Sequence, residues 1–254
     1  MSAQPHLPIS YRLLRYDRLA STNDEAKRLA RAGAQDGTIV WASEQTAGRG
    51  RRGRQWVGLP GNLFVSMILR PACLPAEANQ LGFVAALGLG DAVGDSAPPL
   101  TELRCKWPND VLLNGRKFAG ILLESETSAH AALDWLVLGV GVNVAAHPAD
   151  AAYPTTSLHA EGCLALDAGA MLESFARCFL VWRERWRDEG FAPVRAAWLR
   201  RAAGIGDAIT VRLAGEEIAG RFIGIEADGA LALQTAAGAR RIAAGEVFPA
   251  SARG

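Results

Sequence analysis

Two rhythms of apolar and polar positions run along the chain. In residues 38–42 (T-I-V-W-A) and 62–69 (N-L-F-V-S-M-I-L), large and β-branched side chains follow one another almost without a break. Such runs predict buried strands. Residues 11–19 predict another strand, with irregular alternation. Residues 136–145 (L-V-L-G-V-G-V-N-V-A) predict a central strand buried on both faces, with glycines where backbone or a ligand comes close. Asn143 inside that run must find hydrogen bonds or face a ligand.

Elsewhere the period is helical. Ser21 and Thr22 are good N-caps, Asp24 or Glu25 would complete a capping box, and a helix through Ala26, Leu29 and Ala30 stops near Gly33. Residues 76–93 predict a second helix, with Leu81, Val84, Ala85, Leu89 and Ala92 on one face. Asp167 caps a third over 168–189, ended by Gly190; its Trp182 and Trp186 read as core or interface side chains. A last helix begins near Pro193 and buries Val194, Ala197 and Trp198. From Gly206 the pattern turns to short alternating strands at 209–213, 218–225 and 231–235, separated by Ala214-Gly215, Asp228-Gly229 and Ala237-Gly238. This meander predicts a small appended barrel.

Asn114-Gly115, between two apolar runs, predicts a type I′ hairpin. A two-residue loop pairs Leu113 with Arg116, Leu112 with Lys117, Val111 with Phe118 and Asp110 with Ala119. Parity then puts Asp110, Leu112, Lys117, Ala119 and Ile121 on one face. Lys117 is thus a cation on an apolar face, either reaching solvent at the hairpin end or projecting into a pocket. Pro108 predicts a bend that leaves the side of Lys106 undetermined.

Composition narrows the classes. The chain has 254 residues, half of them hydrophobic, and a formal net charge of +1. A sizeable core is expected, and the basic excess of a protein living on nucleic acid is missing. Four scattered cysteines show no C-x-x-C spacing, so neither a zinc site nor a disulfide framework is indicated. No signal peptide is recognisable, and no apolar run approaches the roughly 20 residues that span a bilayer. A reducing cytoplasm and no membrane are the expectation.

The local exception to this neutrality is residues 43–56, S-E-Q-T-A-G-R-G-R-R-G-R-Q-W. Gly48, Gly50 and Gly53 let the backbone approach a ligand, and the forks of Arg49, Arg51, Arg52 and Arg54 match carboxylate and phosphate oxygens. A flexible cationic loop between two rigid strands suits closure over a small anion. Gly/Arg clusters also occur in solvated loops and RNA-binding tails, and the S-T-N of residues 21–23 is on its own a helix cap.

S-T-N at 21–23, Q-T-A-G-R-G-R-R-G-R-Q-W at 45–56, K-W-P-N-D at 106–110, G-R-K-F-A-G-I-L-L-E at 115–124 and G-V-G-V-N at 139–143 occur in that order. In this the sequence resembles the biotin protein ligases, over nearly its whole length. The resemblance implies an α+β fold. Residues 1–205 would form a class II aminoacyl-tRNA synthetase-like catalytic domain, a mixed sheet with flanking helices, and residues 206–254 an SH3-like barrel. It implies ATP and biotin as substrates with Mg2+, biotinyl-5′-adenylate as intermediate, and a lysine of a biotin carboxyl carrier domain as acceptor. Ser21, Thr22, Asn23 and Gln45 match biotin contacts. Arg49, Gly50 and Arg51 match the loop that orders over biotin and the adenylate, and Lys117 the lysine at carboxylate and phosphate. Trp56, Asn109 and Asn143 fall on the nucleotide side. Lys117, Arg49 and Arg51 are the expected catalytic cations, with no metal ligands from the protein. Asp110 is a candidate to position metal or the incoming amine; Arg52 and Arg54 would face solvent or the carrier.

Only about 20 residues precede S-T-N, too few for a helix-turn-helix domain, so a monofunctional ligase without DNA binding is expected, as monomer or homodimer. A lipoate ligase shares the architecture, but G-R-G-R-R-G and K-W-P-N-D argue against it. A nucleic-acid-binding module and a non-catalytic biotin binder are the readings from other classes.

Overall fold

The computed structural model describes residues 5–94, 96–127, 133–151, 153–213 and 215–249. Strands β1 (Arg12–Leu19) and β2 (Thr38–Gln45) are parallel and joined by helix α1 (Thr22–Arg31), the crossover that parallel strands require. β3 (Leu63–Leu69) returns antiparallel to β2. After α2 (Pro75–Ala78) and α3 (Gln80–Gly94) come β4 (Leu103–Lys106), β5 (Asp110–Leu113), β6 (Arg116–Thr127) and β7 (Leu133–Val142). The resulting mixed sheet has the order β1-β2-β3-β7-β6-β5-β4, with the apolar 136–145 run at its centre as β7.

Period-2 alternation decides what each face of this sheet meets. From β7, Leu136, Leu138, Val140 and Val142 enter the main core with α3 and with α4 (Ala168–Glu189). Trp135 and Val137 point the other way and pack with Ala26 and Ala30 of α1. Gly139 and Gly141 continue that second face beyond the end of the helix. α1 thus covers part of the face, and a glycine floor is left beside its N-terminus.

α4 runs over the expected residues, and its N-cap is made as expected: Ala170 N–H donates to Asp167 Oδ1 at 2.8 Å. Trp182 and Trp186 donate their indole N–H groups to Asp91 and Gln80 of α3, so they tie the two helices together. Trp198 of α5 (Phe191–Arg200) is fully buried. The helix expected over 76–93 is instead two pieces, α2 and α3. Pro75 starts a single turn in which the Glu77 carboxylate accepts the Leu74 N–H, and α3 begins after Asn79.

The hairpin forms with Asn114 and Gly115 both at positive φ, as a type I′ turn demands. Its first two pairs are as expected, Leu113 with Arg116 and Leu112 with Lys117. A bulge then moves the partner of Val111 to Ala119 and that of Asp110 to Gly120. The extra residue reverses parity beyond it. Lys117 and Asp110 keep a common face, shared now with Gly120, while Ala119 and Ile121 turn into the core.

The C-terminal strands are β8 (Ala208–Arg212), β9 (Glu217–Ile225), β10 (Leu231–Thr235), β11 (Gly238–Ile242) and β12 (Glu246–Pro249). Their order is β11-β10-β9-β8-β12, an antiparallel sheet that is not closed. The expected SH3-like barrel is corrected in this respect: β11 and β12 stand at opposite edges, and among the described residues β12 pairs only with β8. Among the described residues no helix is long and apolar enough to cross a membrane.

Replacing Asp167 by Ala removes the cap of α4, and should lower unfolding free energy by about 1 kcal/mol in urea titration. Asp167→Asn, which keeps an acceptor, should recover most of it.

Candidate active site

The glycine floor, the start of α1, the arginine loop and the hairpin enclose one pocket. Ser21, Thr22 and Asn23 are all buried at its inner end. The expected capping box is absent: Ser21 makes no side-chain cap hydrogen bond. The polar groups of the first turn are used sideways instead. Thr22 donates from N–H and Oγ1 to Gln45 Oε1, at 2.7 and 3.0 Å. Ser66 Oγ on β3 lies 2.8 Å from Thr22 Oγ1 and 2.6 Å from Asn23 Oδ1. Asn23 Nδ2 donates to Glu124 on β6 at 2.8 Å. Gly139 makes room for this, since a Cβ there would stand 2.1 Å from Asn23 Oδ1. The two acids expected to cap have other partners: Asp24 pairs with Lys27 and Arg49, and Glu25 with Arg28.

The loop is folded on itself: Gly50 N–H donates to Arg54 O, and Trp56 N–H to Gly48 O. Its arginines separate. Arg49 reaches Asp24 of α1, with Glu124 at 3.6 Å. Arg51 is held by neutral oxygens, 3.5 Å from Asn109 Oδ1 and 3.4 Å from Gly245 O. Burial and then the neighbouring Arg52 lower its pKa. Arg54 pairs with Glu246 of β12, and Arg52 lies 3.4 Å from Arg212 O of β8. Arg52 and Arg54 thus contact the C-terminal sheet rather than facing solvent alone.

Lys117 projects inward; its side chain is 11% exposed and Nζ lies 2.6 Å from Asp110 Oδ1. The ammonium sits 5.5 Å from the Trp56 ring centroid and 5.1 Å from that of Tyr153, within the range of cation–π attraction. The Trp56 indole lies on the floor: a Cβ at Gly141 would be 2.5 Å from it and one at Gly120 2.9 Å. Lys106 also lines the pocket, and burial pushes its ammonium below the ordinary lysine pKa. Asn109 donates to Ile121 O at 2.6 Å, which pins the turn between β4 and β5.

Of the residues singled out from sequence, Arg52 lies off this pocket, and so does Asn143. Asn143 is buried, donates to Thr156 O at 3.0 Å, and lines an adjoining cavity of about 300 Å³. Trp56, Lys117 and Tyr153 form the wall common to both spaces. Sequence reasoning left the side of Lys106 open and missed Ser66, Glu124, Tyr153 and Glu246. Ser66 had a signal, as the one polar residue of a wholly buried seven-residue strand. Glu246 is brought in from the second sheet and had none.

The chamber has a hydrogen-bonding end, a cationic middle and an adjoining cavity, an arrangement suited to holding anionic ligands side by side. Residues 55–200 match the model of the biotin/lipoate A/B protein ligase family, and residues 204–248 that of the biotin protein ligase C-terminal domain. The chain is 46% identical to the biotin–[acetyl-CoA-carboxylase] ligase of Paracoccus denitrificans, over 91% of this chain and 98% of the relative. It is 34% identical to the bifunctional ligase/repressor of Bacillus subtilis, over 92% of this chain and 73% of that protein. The biotin protein ligase of Aquifex aeolicus, solved in complex with biotin and ATP, superposes with a TM-score of 0.75 at 26% identity, covering 93% of this chain and 97% of that one. The chain belongs to the biotin protein ligase family.

Gly141→Ala should drive the Trp56 indole off the floor. The Trp56 component of the fluorescence, taken by difference from Trp56→Phe, should shift to the red and become accessible to acrylamide.

Proposed function

We propose that this chain activates biotin with ATP to biotinyl-5′-adenylate, releasing pyrophosphate, and passes the biotinyl group to a lysine of a biotin carboxyl carrier domain. The observation that carries this reading is the position of Lys117. It is a nearly buried ammonium on a rigid hairpin, at the wall between a pocket ending in hydrogen-bonding side chains and a second cavity. That is where the carboxylate of one substrate and the α-phosphate of the other would meet. The names of the relatives support biotin over lipoate as the acid.

In this reading Ser21, Thr22, Asn23 and Gln45 hold the biotin ring. Ser66 and Glu124 orient them. Arg49, Gly50 and Arg51 close the loop over the acyl phosphate. Trp56 and Asn143 border the nucleotide, and Asn109 acts on that side through Arg51. Both reacting groups are anionic. Cations fixed in a water-poor pocket cancel the repulsion as the carboxylate oxygen attacks phosphorus and pyrophosphate leaves. In the second step the carrier's amine attacks the acyl carbon, the bond to phosphate breaks, and AMP departs with the electron pair. No enzyme nucleophile is required.

Mg2+ would enter with the nucleotide. Among the described residues no group of three or more His, Cys, Asp or Glu side chains could hold a metal, and Mg2+ is commonly bound by substrate phosphates plus one or two carboxylates. Asp110, already paired with Lys117, is the carboxylate nearest to hand for metal or amine. The rest of the reading is a two-domain chain divided at 205/206, working in the cytoplasm as monomer or homodimer without DNA binding. Buried thiols at Cys105 and Cys163 are compatible with a reducing compartment; burial pushes the Cys105 thiol to about 12.

The test mixes the protein with biotin, Mg-ATP and a carrier domain, then probes the carrier with streptavidin. Biotinylated carrier is the expected result, and its absence with folded protein would overturn the reading. Lys117→Ala should slow pyrophosphate release about 10²- to 10³-fold; near-wild-type release would remove Lys117 from the chemistry.

A further inference from the structure

Glu124 sits where the inner end of the pocket meets the loop. Its Oε2 accepts from Asn23 Nδ2 at 2.8 Å and lies 3.6 Å from Arg49 Nη2; Oε1 takes Lys27 Nζ at 2.7 Å. Lys27 and Arg49 also share Asp24 Oδ1. Two carboxylates and two cations therefore form a closed ring, Glu124–Lys27–Asp24–Arg49, that joins β6, α1 and the loop. Asn23 is attached to it through the same oxygen that faces Arg49.

The chemistry of the carboxylate matters here. An ionised carboxylate only accepts hydrogen bonds, so it fixes which end of the Asn23 amide faces it. With Nδ2 on Glu124, Oδ1 must face Ser66, and the amide has one orientation. Desolvation alone would raise the Glu124 carboxyl. Hydrogen bonds from Lys27 and Asn23, with the charges of Lys27 and Arg49, outweigh it and hold the group below the ordinary carboxylate value. It is the ionised form that faces both partners at neutral pH.

We propose that Glu124 is a positioning residue that couples the Asn23 amide, and through it biotin binding, to closure of the arginine loop by Arg49. This rests on the reading of Asn23 as a biotin contact. Ligand that holds Asn23 in its single orientation keeps Oε2 available to Arg49, and a closed loop keeps that oxygen fixed for Asn23. A neutral amide at 124 loses the attraction for Arg49 and lets the Asn23 amide turn over.

The experiment compares Glu124→Gln with Glu126→Gln. Glu126 makes the neighbouring α1–β6 ion pair, with Arg31 at 2.8 Å, and touches neither Asn23 nor Arg49. Three readouts are taken: trypsin cleavage at Arg49–Arg54 without ligand, biotin affinity by calorimetry, and dissociation of preformed biotinyl-5′-adenylate. Glu124→Gln should cleave faster, bind biotin about tenfold more weakly and release adenylate about tenfold faster. Glu126→Gln should match wild type in all three. Combined with Arg49→Ala, the effect on adenylate release should be less than the product of the two single effects. Wild-type behaviour of Glu124→Gln, equal defects in both variants, or multiplicative effects with Arg49→Ala would each overturn the coupling. Urea midpoints of the two Gln variants confirm that both are folded. If the wild type formed no adenylate, the functional reading would fail. Trypsin cleavage would still test the Glu124–Arg49 contact on its own.

Discussion

The pocket depends on a constraint of volume: three glycines leave one face of the sheet bare. Gly120 and Gly141 are cross-strand partners on β6 and β7, and Gly139 pairs with Leu122 two residues along. The closest approaches in the site lie over them, with the Asn23 amide on Gly139 and the Trp56 indole on Gly120 and Gly141. A methyl group at either β7 position would stand within 2.5 Å of a site atom. The opposite face of the same strand carries Leu136, Leu138, Val140 and Val142 into the core. β7 thus anchors the domain with one set of alternate residues and makes room for chemistry with the other.

Above that floor, the cations come from elements of different build. Lys117 is carried by a hairpin closed by a type I′ turn and by the segment containing Thr155, which pairs alongside it. The loop arginines are carried by a glycine-rich turn whose contacts are divided between α1 and the C-terminal sheet. The inner hydrogen-bonding end is built on the first turn of α1, with its side chains diverted from capping to Gln45, Ser66 and Glu124.

How much of this could be read from the sequence follows from the range of the forces involved. The strand cores, the bounds of α4 with its Asp167 cap, and the Asn-Gly turn are local, and they form as the pattern dictates. The hairpin parity failed beyond Lys117 because one bulged residue reverses every later side chain, and no local signal marked it. β11 and β12 went unread because Ala239, Arg240 and Arg241 are exposed in succession on the one and the other is only four residues long, which leave little apolar alternation. At the site, the motif residues were legible one by one. The capping box was misplaced because Asp24 and Glu25 pair forward along the helix, with Lys27 and Arg28, and Asp24 also reaches the loop's Arg49. Glu124 and Glu246 enter only through tertiary contacts, from 101 and 192 residues away from Asn23 and Arg54 respectively.

Three of the cations around the pocket already have a carboxylate: Lys117 has Asp110, Arg49 has Asp24 and Arg54 has Glu246. The chamber is in effect a charged resin partly loaded with its own counterions. At those three cations an anionic ligand binds by exchange, displacing an internal carboxylate, whereas Arg51, held by neutral oxygens, meets it directly. Its affinity therefore depends on how well its oxygens fit the cations compared with those of Asp and Glu.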